Sequence, residues 1–178
     1  MIKSNQTDPL ITCRILINIR LQEELFMTRA DQAEALFREG YNCCQSVFGA
    51  FTDVTGMDLE TAMRYASPFG AGFGKLREVC GAFSGLTMVA GFTEGYSEAS
   101  DREGKIAIYQ RIRQMAEEFE KKQGTIICRE MLNLAPGEDL PEPAIRTEEY
   151  YQSRPCISAV REAATLAEKY LNIQARQD

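Results

Sequence analysis

Six cysteines and no histidine define the chemistry open to this chain of 178 residues. Without histidine there is no Ser-His-Asp or Cys-His nucleophile system. A c-type haem attachment motif is excluded, and so is any metal site within the chain that depends on imidazole. Thiolate and carboxylate are left to carry redox or soft-metal chemistry. The cysteines are Cys13, Cys43, Cys44, Cys80, Cys128 and Cys156. Four of them stand at the start of predicted helices. Cys43 follows Asn42, a good N-cap. Cys80 opens a Gly/Ala-rich apolar stretch, Cys128 opens the short turn Cys128-Arg129-Glu130-Met131-Leu132, and Cys156 follows Pro155. A helix N-terminus carries partial positive charge and unpaired N–H groups. That setting favours thiolate over thiol and lowers the cysteine pKa. It suits equally an anionic metal–thiolate unit whose sulfurs accept backbone hydrogen bonds. Against a shared site stands simple packing, because a buried free cysteine commonly behaves as a small hydrophobe. The intervals between the four match no zinc-finger or ferredoxin pattern.

The elements that must position these cysteines read as helices. Ala33, Leu36 and Phe37 share one face of a segment ending at Gly40. The segment after Asn42 carries Val47, Phe48 and Phe51 inward and ends before Gly56. Asp58 caps a third helix, from Leu59 to about Ala66. The stretch from Cys80 to Gly91 is apolar, with Gly81 and Gly85 on one stripe, as expected of a buried central helix whose neighbours approach closely. The longest helix runs from Lys105 to about Gln123, with Ile106, Tyr109, Ile112, Met115, Ala116 and Phe119 at amphipathic spacing, and stops at Gly124. The final helix runs from Cys156 through Val160, Ala164 and Ala167 to Leu171. The expected fold is all-α, one compact domain of about six or seven helices.

Residues 1–26 read differently. Their β-rich run Leu10–Ile17 is interrupted by Arg14, and no cleavage site or twin-Arg pair follows. Met27-Thr28-Arg29-Ala30-Asp31 resembles a protein start that runs into a helix. We expect residues 1–26 to be a non-native or flexible N-terminal extension and residues 27–178 to form the four-cysteine helical domain. Cys13 falls in the extension.

The motifs together resemble one family. Asn42-Cys43-Cys44-Gln45-Ser46-Val47, then Pro68-Phe69-Gly70-Ala71-Gly72-Phe73-Gly74, then Cys80-Gly81-Ala82-Phe83-Ser84-Gly85, then Cys128-Arg129-Glu130 and finally Cys156 follow the order of the bacterial C_GCAxxG_C_C family. That family is named for four cysteines and a CGAxxG motif, and split-Soret cytochrome domains are distantly similar to it. The resemblance spans about Arg29 to Leu171 and places the family's cysteines on Cys43, Cys80, Cys128 and Cys156. Cys44 stands where the family usually has a small residue, so it is an extra. The resemblance implies redox or metal chemistry.

Gly70-Ala71-Gly72-Phe73-Gly74-Lys75 lacks phosphate-loop spacing and follows a helix rather than a strand. We read it as a loop that needs positive φ and approaches the cysteines closely. Gly72 and Gly81 are the expected backbone positions beside a bound cofactor. Arg77, Glu78 and Arg129 lie near two cysteines, but a surface role is expected for each, and core packing for Tyr150 and Tyr151.

The functional expectation is a redox or electron-transfer protein, an oxidoreductase or a component of one. Cys43, Cys80, Cys128 and Cys156 would act as ligands of an iron–sulfur cluster, as dithiol/disulfide pairs, or as a four-thiolate zinc site. The competing class is a non-catalytic helical module, without a cofactor, whose cysteines are structural. The partner would be an unidentified redox protein, and a homodimer is permitted. With 20 basic and 26 acidic residues, net −6, nucleic acid is not an expected partner. No apolar run is long enough for a membrane span, and a cytoplasmic location is the default expectation.

Overall fold

The computed structural model describes residues 27–135 and 142–173. The expected extension over residues 1–26, Cys13 within it, and most of a polar Pro/Gly loop expected from Pro136 to Pro143 lie outside the described residues. The fold is all-α. Besides the short helical turns Ser67–Phe69 and Gly70–Phe73, the helices among the described residues are α1 (Arg29–Arg38), α2 (Cys43–Gly49), α3 (Thr52–Thr55), α4 (Leu59–Ala66), α5 (Gly81–Glu94), α6 (Arg102–Gln123), α7 (Cys128–Met131), α8 (Glu148–Ser153) and α9 (Cys156–Tyr170). This exceeds the expected six or seven because short turns add to the count. Phe51 and Gly56 bound α3, a single turn that the hydrophobic pattern had merged with α2. No described helix is long and apolar enough to cross a membrane.

Side-chain caps define many helix starts. Thr28 and Asp31 cap α1 reciprocally, and Asn42 and Gln45 do the same for α2. Asp58, Asp101 and Thr147 each accept a backbone N–H at the start of α4, α6 and α8. The longest helix therefore begins at Arg102, a turn earlier than the hydrophobic pattern indicates.

Helix α5 is the centre of the packing. Phe83, Leu86, Val89 and Ala90 are buried on it, and α2, α6 and α9 pack around it. Gly81 and Gly85 let α2 come close. A Cβ at Gly85 would lie 2.9 Å from the Cys44 carbonyl oxygen and 2.9 Å from Val47 Cβ. On α6 the buried positions are Ile108, Met115 and Phe119, while Ile106 and Tyr109 face outward. Two positions expected on the buried face are thus exposed, and Ile108 takes their place in the core. Helix α9 buries Val160, Ala163, Ala164 and Ala167 and packs on α1, α5 and α6. Arg161 ties it to α1 through Asp31 at 2.8 Å and Glu34 at 2.7 Å.

Candidate functional site

All four expected cysteines sit at helix starts. Cys43, Cys128 and Cys156 are the first residues of α2, α7 and α9. Cys80 is the N-cap of α5 rather than its first residue. The N–H groups of Ala82 and Phe83 point at its sulfur.

A feature absent from the sequence reading brings two of them together. Val79 and Ile127 form a lone antiparallel bridge. Around it the Cys80 N–H donates to the Ile126 carbonyl at 2.7 Å, and the Cys128 N–H donates to the Glu78 carbonyl at 2.6 Å. Two helix starts distant in sequence are thereby held side by side. Gly81 brings in the third, because a Cβ there would meet Cys43 Cβ at 3.2 Å and the Phe69 carbonyl oxygen at 3.1 Å. Cys156 joins the set electrostatically, since it and Cys43 shift one another's pKa in opposite directions. Charge on any one of the four thiols acts on each of the other three.

The electrostatics differ from what four helix N-termini alone would give. Burial pushes the Cys44 and Cys80 thiols up to about 12. The Cys128 thiol is also raised by burial, although Arg77 opposes this. Cys43 is raised chiefly because it donates a hydrogen bond to Cys156, and burial adds to the effect. Only Cys156 moves the other way. The Cys43 hydrogen bond, then the charges of Arg154, Arg77 and Arg146, lower it to about 7 against the ordinary 9.0. The expectation that each helix start lowers its cysteine therefore fails for Cys43, Cys80 and Cys128. Loss of hydration in a packed interior outweighs the fractional charge of a helix end. Cys44 points into the core, with its sulfur 3.5 Å from Met88 Sδ.

Arg77 also differs from its expected surface role. It is 5% exposed, and Nη1 lies 3.8 Å from Cys128 Sγ. The loop before it places it there. Ala71, Gly72, Phe73, Gly74 and Lys75 all have positive φ, as does Arg77 itself. Positive φ costs about 1–2 kcal/mol for each non-glycine residue, so tight packing must hold this coil. Gly72, at φ +71°, lies so close to Arg77 and Glu78 that an added Cβ would be 2.7 Å from the Glu78 N. Its role is to shape the loop that delivers Arg77. Glu78 is exposed and Arg129 half-buried, with Arg129 Nη2 donating to the Leu76 carbonyl at 3.1 Å.

Sequence reasoning missed Arg146, Arg154 and the part played by Tyr150. Arg146 and Arg154 lie over the Tyr150 ring at 5.6 and 4.6 Å. Burial raises the pKa of the half-buried Tyr150, and the charges of Cys156 and Cys43 add to the effect. Tyr151 packs edge-on against Phe37 and donates from its hydroxyl toward the Phe37 and Arg38 carbonyls. An available signal was Arg154, two residues before Cys156.

Among the described residues, no three His, Cys, Asp or Glu side chains are grouped so as to hold a metal ion. All five described cysteines are free thiols. The arrangement is therefore a set of neighbouring thiols of which one, Cys156, is thiolate-prone.

No curated protein and no solved structure matches the chain. Residues 41–170 match the family described as "Putative redox-active protein (C_GCAxxG_C_C)". The match takes in Cys43, Cys80, Cys128 and Cys156, and the chain belongs to the C_GCAxxG_C_C family.

Proposed function

We propose that the protein exchanges electrons by thiol–disulfide chemistry, with Cys156 as attacking thiolate and Cys43 as resolving thiol. What supports the reading is that the Cys43 and Cys156 thiols act on one another, Cys156 being lowered to about 7 and Cys43 raised. An attacking thiol works best when its pKa is near the ambient pH.

In the reducing direction, Cys156 Sγ attacks one sulfur of a disulfide substrate. The substrate S–S bond breaks, a mixed disulfide forms, and the departing thiolate takes the Cys43 proton. Cys43 Sγ then attacks Cys156 Sγ and releases the second thiolate. Two electrons pass from the cysteine pair to the substrate, and the pair ends as a disulfide. Arg154, Arg77 and Arg146 stabilise the starting thiolate, and Arg77 also holds Cys128. Cys80 and Cys128 stand behind the first pair as protonated thiols and would form a second pair able to re-reduce it.

All-thiolate donors suit an iron–sulfur cluster chemically. The described side chains do not gather three donors for a metal ion, so no step is assigned to one.

The test is titration of free thiols in anaerobically purified full-length protein before and after equilibration with a thiol/disulfide buffer, with iron and sulfide analysis. Loss of two or four thiols per chain, with Cys43–Cys156 recovered as a disulfide-linked peptide, is expected. Stoichiometric iron and sulfide would replace this reading with a cluster. Thiols that stay unchanged at every potential would leave the cysteines structural.

A further inference from the structure

The Val79–Ile127 bridge fixes the register of the two segments that carry Cys80 and Cys128. Its hydrogen bonds run from the Cys80 N–H to the Ile126 carbonyl and from the Cys128 N–H to the Glu78 carbonyl. Cys80 therefore stands opposite Ile126, and Cys128 stands opposite Glu78. In an antiparallel pair, residues opposite one another share a face, and so do residues two apart in one segment. Cys80 and Cys128 thus lie on one face of the bridge, displaced diagonally by two residues. Such diagonal neighbours are about 7–8 Å apart at Cα, whereas a disulfide most often spans about 5.5–6 Å and usually no more than about 6.8 Å. The two thiols are neighbours, but joining them requires the backbone to move.

The packing shows which side yields. Cys80 leads into α5, around which α2, α6 and α9 pack. Cys128 leads into α7, a single turn in which it alone is buried. That turn is bonded to the coil that precedes the bridge. Besides the Cys128 N–H on Glu78, the Arg129 N–H donates to the Arg77 carbonyl at 3.0 Å, and Arg129 Nη2 donates to the Leu76 carbonyl at 3.1 Å. Arg77 Nη1 meets Cys128 Sγ at 3.8 Å. The coil has positive φ at Ala71, Phe73, Lys75 and Arg77, a conformation that each non-glycine residue resists, so these bonds help to hold it. Phe73 and Leu76 are exposed, which places the coil at the surface.

We propose that oxidation of Cys80 and Cys128 is a conformational switch: closing their disulfide draws α7 out of register with the bridge and releases the coil of residues 71–77. The switch rests on the thiol-exchange reading and adds its consequence for the fold. In the step, one sulfur of the second pair attacks the Cys43–Cys156 disulfide, and the other resolves the mixed disulfide. One S–S bond forms as one breaks. Two electrons pass to the first pair, and the two protons of the second pair end on Cys43 and Cys156.

The test uses the full-length protein equilibrated in dithiothreitol buffers of stepped potential. Peptide mapping reads the disulfides, and hydrogen exchange by mass spectrometry reads the backbone. Once the Cys80–Cys128 disulfide forms, peptides covering residues 71–80 and 126–131 should exchange about tenfold faster, the scale of one hydrogen bond's net contribution. Peptides from α5 and α9 should keep their protection, and trypsin should cut after Lys75 sooner. Cys80→Ser and Cys128→Ser each block the second disulfide. Either variant, oxidised at Cys43–Cys156 alone, should exchange and cleave as the reduced protein does. A Cys80–Cys128 disulfide with unchanged exchange would overturn the switch. So would faster exchange in the oxidised serine variants, because the first pair would then be its cause. A protein that forms Cys43–Cys156 but never Cys80–Cys128 also overturns it, and in all three cases thiol exchange stands. If neither disulfide forms at any potential, the exchange reading itself fails, and the switch with it.

Discussion

Replacing Cys43 with alanine tests the site most directly. Its hydrogen bond is the largest cause that holds Cys156 at about 7, below the ordinary 9.0. Without that donor, burial opposes the thiolate and the three arginines alone support it, so the Cys156 midpoint should move toward 9.0 or beyond. At pH 7 a thiol of pKa about 7 is about half ionised, and one of pKa 9 about one part in a hundred, a loss of about fiftyfold in thiolate. The more basic thiolate is the better nucleophile. With a Brønsted coefficient of about 0.4–0.5, two pKa units return about six- to tenfold. The net expectation is a five- to eightfold slower attack at pH 7, from about fiftyfold less thiolate and about six- to tenfold greater reactivity. Cys43→Ser keeps a donor and should retain part of the shift. The assay follows reaction of Cys156 with hydroxyethyl disulfide from pH 5 to 10. Without a resolving thiol the mixed disulfide persists and can be counted by intact mass. A midpoint near 7 in Cys43→Ala would show that the arginines hold the thiolate unaided, and a wild-type midpoint near 9 would remove the basis for naming Cys156 as the attacking group.

Other perturbations separate packing from charge. Arg77→Met should raise the Cys128 pKa further, since Arg77 is the main influence lowering it; slower alkylation of Cys128 near pH 8, read by peptide mass, is expected. Gly81→Ala places a Cβ 3.2 Å from Cys43 Cβ, and overpacking of this kind costs about 1–3 kcal/mol; urea unfolding should show that loss together with a displaced Cys156 midpoint. Alkaline pH should destabilise the fold. Cys44 and Cys80 are raised to about 12, so their contribution is full below the unfolded value of 9.0 and is lost as pH rises through 9 toward 12. Cys156 opposes this, because a lowered pKa stabilises above the unfolded value and loses that contribution as pH falls through about 7. Urea midpoints for wild type and Cys44→Ala should converge above pH 9 if burial of the neutral thiol is the cause.

The sequence was a good guide where local chemistry decides the outcome. Asn42 before Cys43, Asp58 before Leu59 and Gly124 after Gln123 mark helix ends through capping and left-handed backbone, which depend on near neighbours. Of the four helix starts carrying cysteine, only that of Cys43 has a side-chain cap, and Pro155 marks that of Cys156. The placement of Arg77 was not. It depends on a coil of positive-φ residues that includes Ala71, Phe73 and Lys75, none of which advertises that conformation by type. The Val79–Ile127 bridge was likewise invisible, because one residue pair leaves no strand-like alternation. Arg146 lies far in sequence from the sulfurs it influences, and only the fold brings it to Tyr150.

Similar helix-start positions produce one thiolate-prone cysteine among four because three influences compete at each sulfur. The helix end offers every one a similar, small attraction for charge. Burial removes hydration and works against ionisation, and it prevails at Cys80 even though two N–H groups face that sulfur. Arg77 offers Cys128 a full charge, yet burial still prevails there. Cys156 has both a thiol donor and several nearby guanidiniums, and only this combination exceeds the desolvation cost. A helix N-terminus is therefore insufficient to identify a reactive cysteine in this fold. The more discriminating sequence feature is a second thiol brought within hydrogen-bond reach, with arginine close to the cysteine in the chain, as Arg154 is to Cys156.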